Sequence, residues 1–434
     1  TTDGGAGAAG GGATGGSGPD CGLRVFPGAE GFGTTTRAAY GDPSQDPVGL
    51  TVDTLSPTGA GSLDEALRDP RPRVIVFEVS GTIQFDAAFV IRDPYVTVAG
   101  QTAPSPGITI AGGILLVRTH DVLVQHLRIR PGDDPNGVSG ENRDALSLAD
   151  SSEPVHDVVV DHCSLSWSTD EVAQSWYQSH HNTFSSCIFS EALENSIHPE
   201  GAHSMGPLIG SSSHHTTLVR SLLMSNRHRN PRIACGQLAA VNNLIYNPGN
   251  AVFEFDAYTS GDETLCNDTW LTCIGNVAIA GPSTNASYLV RTNEANPGTQ
   301  LYLEDNVDLG EPFRNNSSFD PLVTVPPVAI ECVTVRSSSD VEAFVVANVG
   351  ARPTDRDAVD QRLMNEIADR QGQIIDSQDD VGGWPTLAEN QRSLSPPADL
   401  HGDDDGDGYT NLEEWLHCFL EEVEPRTIPG CSSR

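Results

Sequence analysis

Val158-Val159-Val160-Asp161-His162-Cys163-Ser164-Leu165 is a short β-branched run, a polar break and a second short run. It is too short for an amphipathic helix, and its β-branched residues suit a pleated, buried strand. The phrase recurs upstream at Val122 to Ile129. It recurs downstream at Thr183 to Phe189, Leu218 to Met224, Leu238 to Tyr246, Leu271 to Ile279 and Leu301 to Val307. Taking the residue after each bend as a marker gives Leu127, Cys163, Cys187, Leu222, Leu244, Val277 and Val307, in steps of 36, 24, 35, 22, 33 and 30 residues. The shorter steps match one coil of a parallel β-helix and the longer ones a coil carrying a loop. No single coil buries its own apolar face, so stacking must create a continuous interior column. Cys163 and Cys187 are expected to stack there as small side chains rather than as a disulfide. Asn243, Asn276 and Asn306, each just before a marker, are expected to form an amide ladder at the bend. A β-sandwich or propeller would need even hairpin turn signals, which the phrases lack.

The pattern divides the chain into four parts. Residues 1–20 are a Gly-rich tether with a reach of about 25 Å, which reads as the exposed start of a mature secreted or surface-tethered protein. Residues 21–326 carry the β-helix, 327–400 a flank packing on it, and 401–434 an EF-hand-like calcium loop and tail. Within the flank, Thr354 or Asp355 is expected to cap a helix whose Val359, Leu363 and Ile367 share one apolar face, with Gly372 as its stop. That helix should cover the β-helix surface or one of its ends. Nine cysteines occur, without a CxxC pair. Cys266/Cys273 and Cys418/Cys431 are candidates for local bridges, and the odd count leaves at least one thiol over.

The 434 residues carry a formal net charge of −35, and all 24 basic residues are Arg. Such a chain is no general nucleic-acid binder, because phosphate contacts need clustered positive charge. No apolar run approaches the roughly 20 residues of a membrane span. Three groups of residues stand out for chemistry. Asp403, Asp405 and Asp407, the Tyr409 carbonyl, Asn411 and Glu414 occupy the oxygen-ligand positions of a twelve-residue calcium loop. Arg220, Arg227, Arg229 and Arg232, with His228 among them, form a basic cluster that has no acid nearby in sequence. Asp144, beside Asn142, and the pair Asp170 and Glu171 fall on neighbouring coils and can share a cation. Net charge describes the far field, so Arg side chains and bound Ca2+ can still make one groove locally attractive to an acidic polymer.

These motifs, in order, resemble a known family. Phe26-Pro27-Gly28-Ala29-Glu30-Gly31-Phe32-Gly33, Gly61-Ser62-Leu63 with Ala66-Leu67, and Val76-Phe77-Glu78-Val79-Ser80-Gly81-Thr82-Ile83 read like the opening of bacterial secreted pectate lyases of polysaccharide lyase family 1. Thr97 to Pro104, Asp161-His162-Cys163-Ser164 with Trp167, Asp170 and Glu171, Arg229-Asn230-Pro231-Arg232, Asp355 to Asp360, and Val381-Gly382-Gly383 continue the match.

The resemblance implies an all-β, right-handed, single-stranded parallel β-helix and a calcium-dependent, monomeric enzyme. Its reaction is β-elimination on an acidic polysaccharide, polygalacturonate or a related uronate polymer. It implies Arg229 as the base that takes the C5 proton, Arg232 as a ligand of a substrate carboxylate, and Asp144 and Asp170 as calcium ligands. The chain departs from the pattern at Asn142, where many relatives have Asp. It departs again at Gln174, where Glu171 can substitute as the second acid, and at Ala234, where a second family Arg would fall. A substrate-binding Lys cannot exist here, which leaves His203, with Arg227 and His228 nearby, to contact substrate. Two other readings stand beside this one. The first is a β-helix that binds polysaccharide, or acts as an adhesin, without catalysis. The second is a β-helix glycosidase, which needs paired acids across one bond.

Overall fold

The computed structural model describes residues 21–257, 266, 268–330, 332–428 and 431; the expected tether lies outside them. Among these residues the strands form three parallel sheets of ten, nine and eight strands. Each coil crosses the first sheet, then the third, then the second, as in Val122–Gln125, Leu127–Arg130 and Leu146–Leu148. The result is a parallel β-helix with the right-handed coil that parallel crossovers take. Its interior column runs from Val52, Ile75 and Phe77 through Val124, Leu165 and Phe189 to Leu271 and Leu301, all buried. The short helix Leu63–Leu67, capped by Ser62, packs into the same core beside Val52.

A single left-handed residue makes the turn from the first sheet to the third in coil after coil. His126 (φ +58°), His162 (φ +47°), Ser186 (φ +50°), Arg220 (φ +51°), Asn242 (φ +54°), Gly275 (φ +64°) and Asp305 (φ +47°) occupy this bend. A left-handed residue costs about 1–2 kcal/mol for most side chains, so polar residues and Gly collect here. The next residue points inward. Strand register pairs Ser164 with Ile188, Ile188 with Leu222, and Leu222 with Leu244. The column at this position is therefore Leu127, Cys163, Cys187, Ser221, Asn243, Asn276 and Asn306. The sequence markers slip by one residue after Cys187, because Ser221 and the three Asn are as polar as the bend residues before them.

The amide ladder forms in this column. The Cys187 amide donates to Ser221 Oγ (3.1 Å), Ser221 to Asn243 Oδ1 (2.9 Å), Asn243 to Asn276 Oδ1 (3.0 Å) and Asn276 to Asn306 Oδ1 (2.9 Å). Each side chain satisfies a backbone N–H that the tight bend leaves without a strand partner. Asn276→Ala strands the buried Asn243 amide and should lower unfolding free energy by about 3 kcal/mol. Equilibrium urea denaturation measures this.

Cys163, Cys187 and Cys273 are buried free thiols, so the stacked pair Cys163 and Cys187 is not bridged. The disulfides are Cys21–Cys332, Cys235–Cys266 and Cys418–Cys431. The expected Cys266–Cys273 bridge does not form, because Cys273 points into the coil, where Asn276 Nδ2 lies 3.2 Å from its sulfur.

Helices Ser338–Asn348 and Ala358–Asp369 cover the third sheet, packing Val341, Val345, Leu363 and Ile367 on Leu222, Leu244 and Val277. The second helix starts later than its sequence suggests. Asp357, not Thr354 or Asp355, is the cap and accepts from the Asp360 amide. Arg370 (φ +56°), not Gly372, takes the left-handed C-terminal position. Asp357 is drawn to this role because its carboxylate also meets Arg130 Nη1 at 2.5 Å. No helix among the described residues is long and apolar enough to cross a membrane.

Candidate active site

Residues at and just before the second sheet's strands form the site. Asp144 precedes Leu146–Leu148, Asp170 and Glu171 precede Ala173–Ser175, and Arg229 precedes Arg232–Ala234. These strands follow one another in the sheet, with Leu208–Gly210 between the last two. Short bridges link Glu171 to Met205 and Met205 to His228, which stacks the preceding loops as well. Residues 26 to 85 positions apart in sequence thus come together at one edge of the coil.

Ligand oxygens of Asp144, Asp170 and Glu171 lie within 4.8 Å of one another. Asp144 is buried; its Oδ1 accepts from the Glu171 amide (3.1 Å) and its Oδ2 from Gln174. Burial, then the Asp170 charge, push the Asp144 carboxyl well above the usual carboxylate range, against Gln174 and Arg229. Asn142 is exposed in the turn Gly140–Asn142 and, with Asp144, Asp170, Gln174 and Arg118, lines an open cavity of about 460 Å³.

Arg229 holds its backbone at φ +59° and its amide donates to Glu254 Oε2 (3.0 Å). Its guanidinium pairs with Glu171. Burial, followed by the positive charge of Arg232, lowers the Arg229 pKa to about 10, against Glu254, Asp170 and Asp144. Gly206 is required beside it, because a Cβ there would meet the Arg229 carbonyl oxygen.

The Arg cluster, which has no acid nearby in sequence, finds its acidic partners across the coils. Arg220 meets Glu30 (3.0 Å), Arg227 meets Glu194, Arg229 meets Glu171 and Arg232 meets Asp256 (3.8 Å). Each partner is remote in sequence and brought close only by coil stacking. Arg220 is also separated from the others, since it sits at the bend between the first and third sheets. His228 is held through Nδ1 by Glu254 (3.4 Å) and through Nε2 by Asn250 (3.3 Å). His203 is buried, stacks on His198 at 3.6 Å between ring centres, and reaches Asp170 Oδ1 through Nε2 (3.1 Å). Its contact is thus to a carboxylate of the cation set.

Glu254, Asp256, Arg291 and His198 escaped the sequence reading. Glu254 is registered beside Arg232 and binds Arg291 Nη2 at 2.5 Å. Despite its burial, His228 and Arg291 hold the Glu254 carboxyl down at about 2. The signal for Glu254 and Asp256 lay in Phe253-Glu254-Phe255-Asp256, whose alternation turns the Phe rings inward and both acids out.

The C-terminal loop gathers oxygens of Asp403, Asp405 and Asp407 within 4.8 Å. Gly406 (φ +75°) and Gly408 (φ +100°) make its turns. Asn411 begins the helix Asn411–Cys418; its side-chain Nδ2 donates to the Asp399 carbonyl (3.0 Å) and its Oδ1 accepts from the Asp404 amide of the loop (3.4 Å). The Tyr409 ring packs edge-on against His417, and Glu414 lies in the first turn of that helix.

No family model matches the chain. Its similarity to curated proteins is nevertheless extensive. It is 31% identical over 434 residues to a probable pectate lyase C of Aspergillus flavus, covering 92% of this chain and 94% of that protein. A probable pectate lyase C of Emericella nidulans is 30% identical with the same coverage. Pectate lyase 4 of Ambrosia artemisiifolia is 26% identical over 240 residues, half of this chain. Among solved structures, the cedar pollen allergen jun a 1 superposes with a TM-score of 0.53 at 14% identity, over 73% of this chain and 91% of that one. A pectate lyase bound to a hexasaccharide superposes with a TM-score of 0.50 at 14% identity, over 74% and 96%. These two likenesses concern the fold, whereas the fungal relatives span nearly the whole chain, and on that ground the chain belongs to the pectate lyase family.

Proposed function

We propose that the chain is an exported, calcium-dependent pectate lyase that cleaves polygalacturonate-type polymers by β-elimination, with Arg229 as the base. The observation that carries this reading is a buried Arg with a lowered pKa placed directly against a cluster of three carboxylates. Three disulfides fit an oxidising compartment.

The donor set fits calcium by its chemistry: hard carboxylate oxygens from Asp144, Asp170 and Glu171, with Asn142 at the groove edge. Five carboxylates (Asp144, Asp170, Glu171, Glu254 and Asp256) surround three guanidiniums (Arg229, Arg232 and Arg291), so the bare site would repel a polyuronate. Calcium held there would offset this excess and, by engaging a substrate carboxylate, acidify the C5 proton.

Arg229 then has two tasks. It leaves Glu171, and in its neutral form it accepts the C5 proton. The electron pair of the C5–H bond forms the C4–C5 double bond as the C4–O bond breaks, and the departing oxygen takes a proton from water. Arg232 is the positive group next to the base, suited to a substrate carboxylate and already loosely held by Asp256. His203, stacked on His198, orients Asp170. Both nitrogens of His228, and the head group of Arg227, are engaged by the protein, which suits them to bracing Arg229 and the loop before it.

Asp170→Asn should raise the calcium concentration for half-maximal activity by at least about tenfold. The check is ultraviolet absorbance of unsaturated ends from polygalacturonate, after chelation and stepwise calcium return. Full activity without divalent cations would end the calcium reading, and polymer binding without product would favour the non-catalytic one.

A further inference from the structure

His126 and His162 occupy successive first-to-third bends, and their rings stack with centres 5.3 Å apart. This places them at a different corner of the coil from the groove of the second sheet. Glu424, just after the C-terminal helix Leu420–Val423, is packed against both. All three are buried, His126 completely. His126 Nε2 lies 3.2 Å from Glu424 Oε1, and His162 Nε2 lies 3.5 Å from Glu424 Oε2.

The other ring nitrogens are already committed. His126 Nδ1 lies 2.7 Å from the Ala351 carbonyl oxygen, and His162 Nδ1 lies 2.9 Å from Asp161 Oδ2. A carbonyl and a carboxylate only accept, so both Nδ1 atoms carry the proton. A neutral ring then aims its Nε2 lone pair at Glu424. His126 Nε2 makes no hydrogen bond although it is buried. Asp161 is itself fixed by Gln125 Nε2 (3.0 Å) and Ser185 Oγ (2.6 Å). Two imidazole lone pairs facing a buried carboxylate call for a cation. A backbone carbonyl or carboxylate behind each ring is the usual outer arrangement of metal-binding histidines.

We propose that His126, His162 and Glu424 bind one divalent transition metal of the zinc class, with Asp161 orienting His162. Around a tetrahedral zinc, bonds of about 2.0–2.1 Å place neighbouring ligand atoms about 3.3 Å apart. The imidazole-to-carboxylate separations, 3.2 Å to Glu424 Oε1 and 3.5 Å to Glu424 Oε2, are close to that edge but run to different oxygens, so the carboxylate has to rotate slightly to present one oxygen to a shared ion. Nitrogen donors select zinc over calcium, so this site is chemically separate from the two carboxylate sites. A fourth position faces a cavity of about 270 Å³ bordered by His162, Glu424, Glu30, Arg220 and Arg426. Arg426 also meets Glu424, with Nε 3.0 Å from Oε2. It shares this carboxylate and, in the metal-free site, balances one of the two negative charges of Glu424 and Asp161. The metal would tie the C-terminal segment to the coil through Glu424, a residue remote in sequence from both histidines.

The test uses the full chain, stripped of metal and kept in excess calcium so that the carboxylate sites stay filled. Titration with Co2+ should give the visible d–d bands of a four-coordinate site at one equivalent. Zn2+ should displace them and raise the unfolding temperature. His126→Phe, which keeps the ring volume, and Glu424→Gln should each lose the bands, while His203→Gln keeps them. Protein without the bands, or variants with native circular dichroism and unchanged bands, would overturn the proposal and leave a proton shared with Glu424 in the metal's place. Loss of the bands in His203→Gln alone would move the ion to the Asp170, His198 and His203 group and overturn this assignment too.

Discussion

Arg229→Ala is expected to slow release of unsaturated ends from polygalacturonate by about 10²–10⁴-fold, the usual worth of a positioned base, with unchanged circular dichroism. The substitution removes the group whose lowered pKa, about 10, suits it to proton abstraction. The sign of the pH dependence follows from the same group. A base must be neutral, so below its pKa the competent fraction rises about tenfold per pH unit. The logarithm of kcat/KM should therefore climb with a slope near one and level off close to pH 10. Arg229→Lys keeps a titratable group but not the planar fork that meets Glu171. Its rate should fall between those of the Ala variant and the native enzyme. A native rate in Arg229→Ala would remove this residue from the chemistry.

Asp360→Ala should cost about 3–5 kcal/mol of stability, because it leaves two buried guanidiniums, Arg128 and Arg130, facing the single carboxylate of Asp357. Asp360 Oδ1 accepts from Arg130 Nη2 (2.8 Å) and its Oδ2 from Ser164 Oγ (2.7 Å), and Arg128 Nε lies 3.6 Å away. Arg128, Arg130, Asp357 and Asp360 are all shut off from solvent at the side chain. This network fastens the helix Ala358–Asp369 to the third sheet. It also supports the site, because Arg130 lies over the Trp167 ring (5.4 Å) and the chain from Trp167 leads directly to Asp170. The midpoint of urea denaturation measures the loss. Arg130→Met with Asp360→Leu removes charges of both signs and should recover much of it. Equal destabilisation in the single and double variants would contradict the charge argument. Acid should weaken the same network. Against its burial, Arg130 and Arg128 hold the Asp357 carboxyl far below its unfolded value. Its contribution is therefore complete above about pH 4, the unfolded carboxylate value, and is lost as the pH falls through the lower folded one.

The fold was legible because a parallel β-helix repeats its instructions. Val158-Val159-Val160, the bend at His162 and the inward Cys163 are local choices that recur in each coil, and stacking copies them into columns. The amide ladder of Asn243, Asn276 and Asn306 was readable for the same reason. The one-residue slip after Cys187 arose where Ser and Asn occupy both the bend and the inward position, since polarity alone does not separate them. In the site, Asp144, Asp170, Glu171 and Arg229 were visible through motif order. Glu254 and Arg291 were not, because their importance comes from register, Glu254 beside Arg232 and Arg291 beside Glu254, rather than from any local pattern.

The sequence by itself determined the repeat, the polar bend between paired short strands, the amide ladder and the identity of the acidic and Arg candidates. Only the tertiary structure decided which charges meet. It paired Arg220 with Glu30, Arg229 with Glu171 and Arg130 with Asp357, and it joined Cys235 to Cys266. It alone brought Glu424 to His126 and His162. Strand periodicity fixes the face on which a residue lies. Loops of unequal length, and a C-terminal segment that folds back along the coil, set which distant residue arrives opposite it.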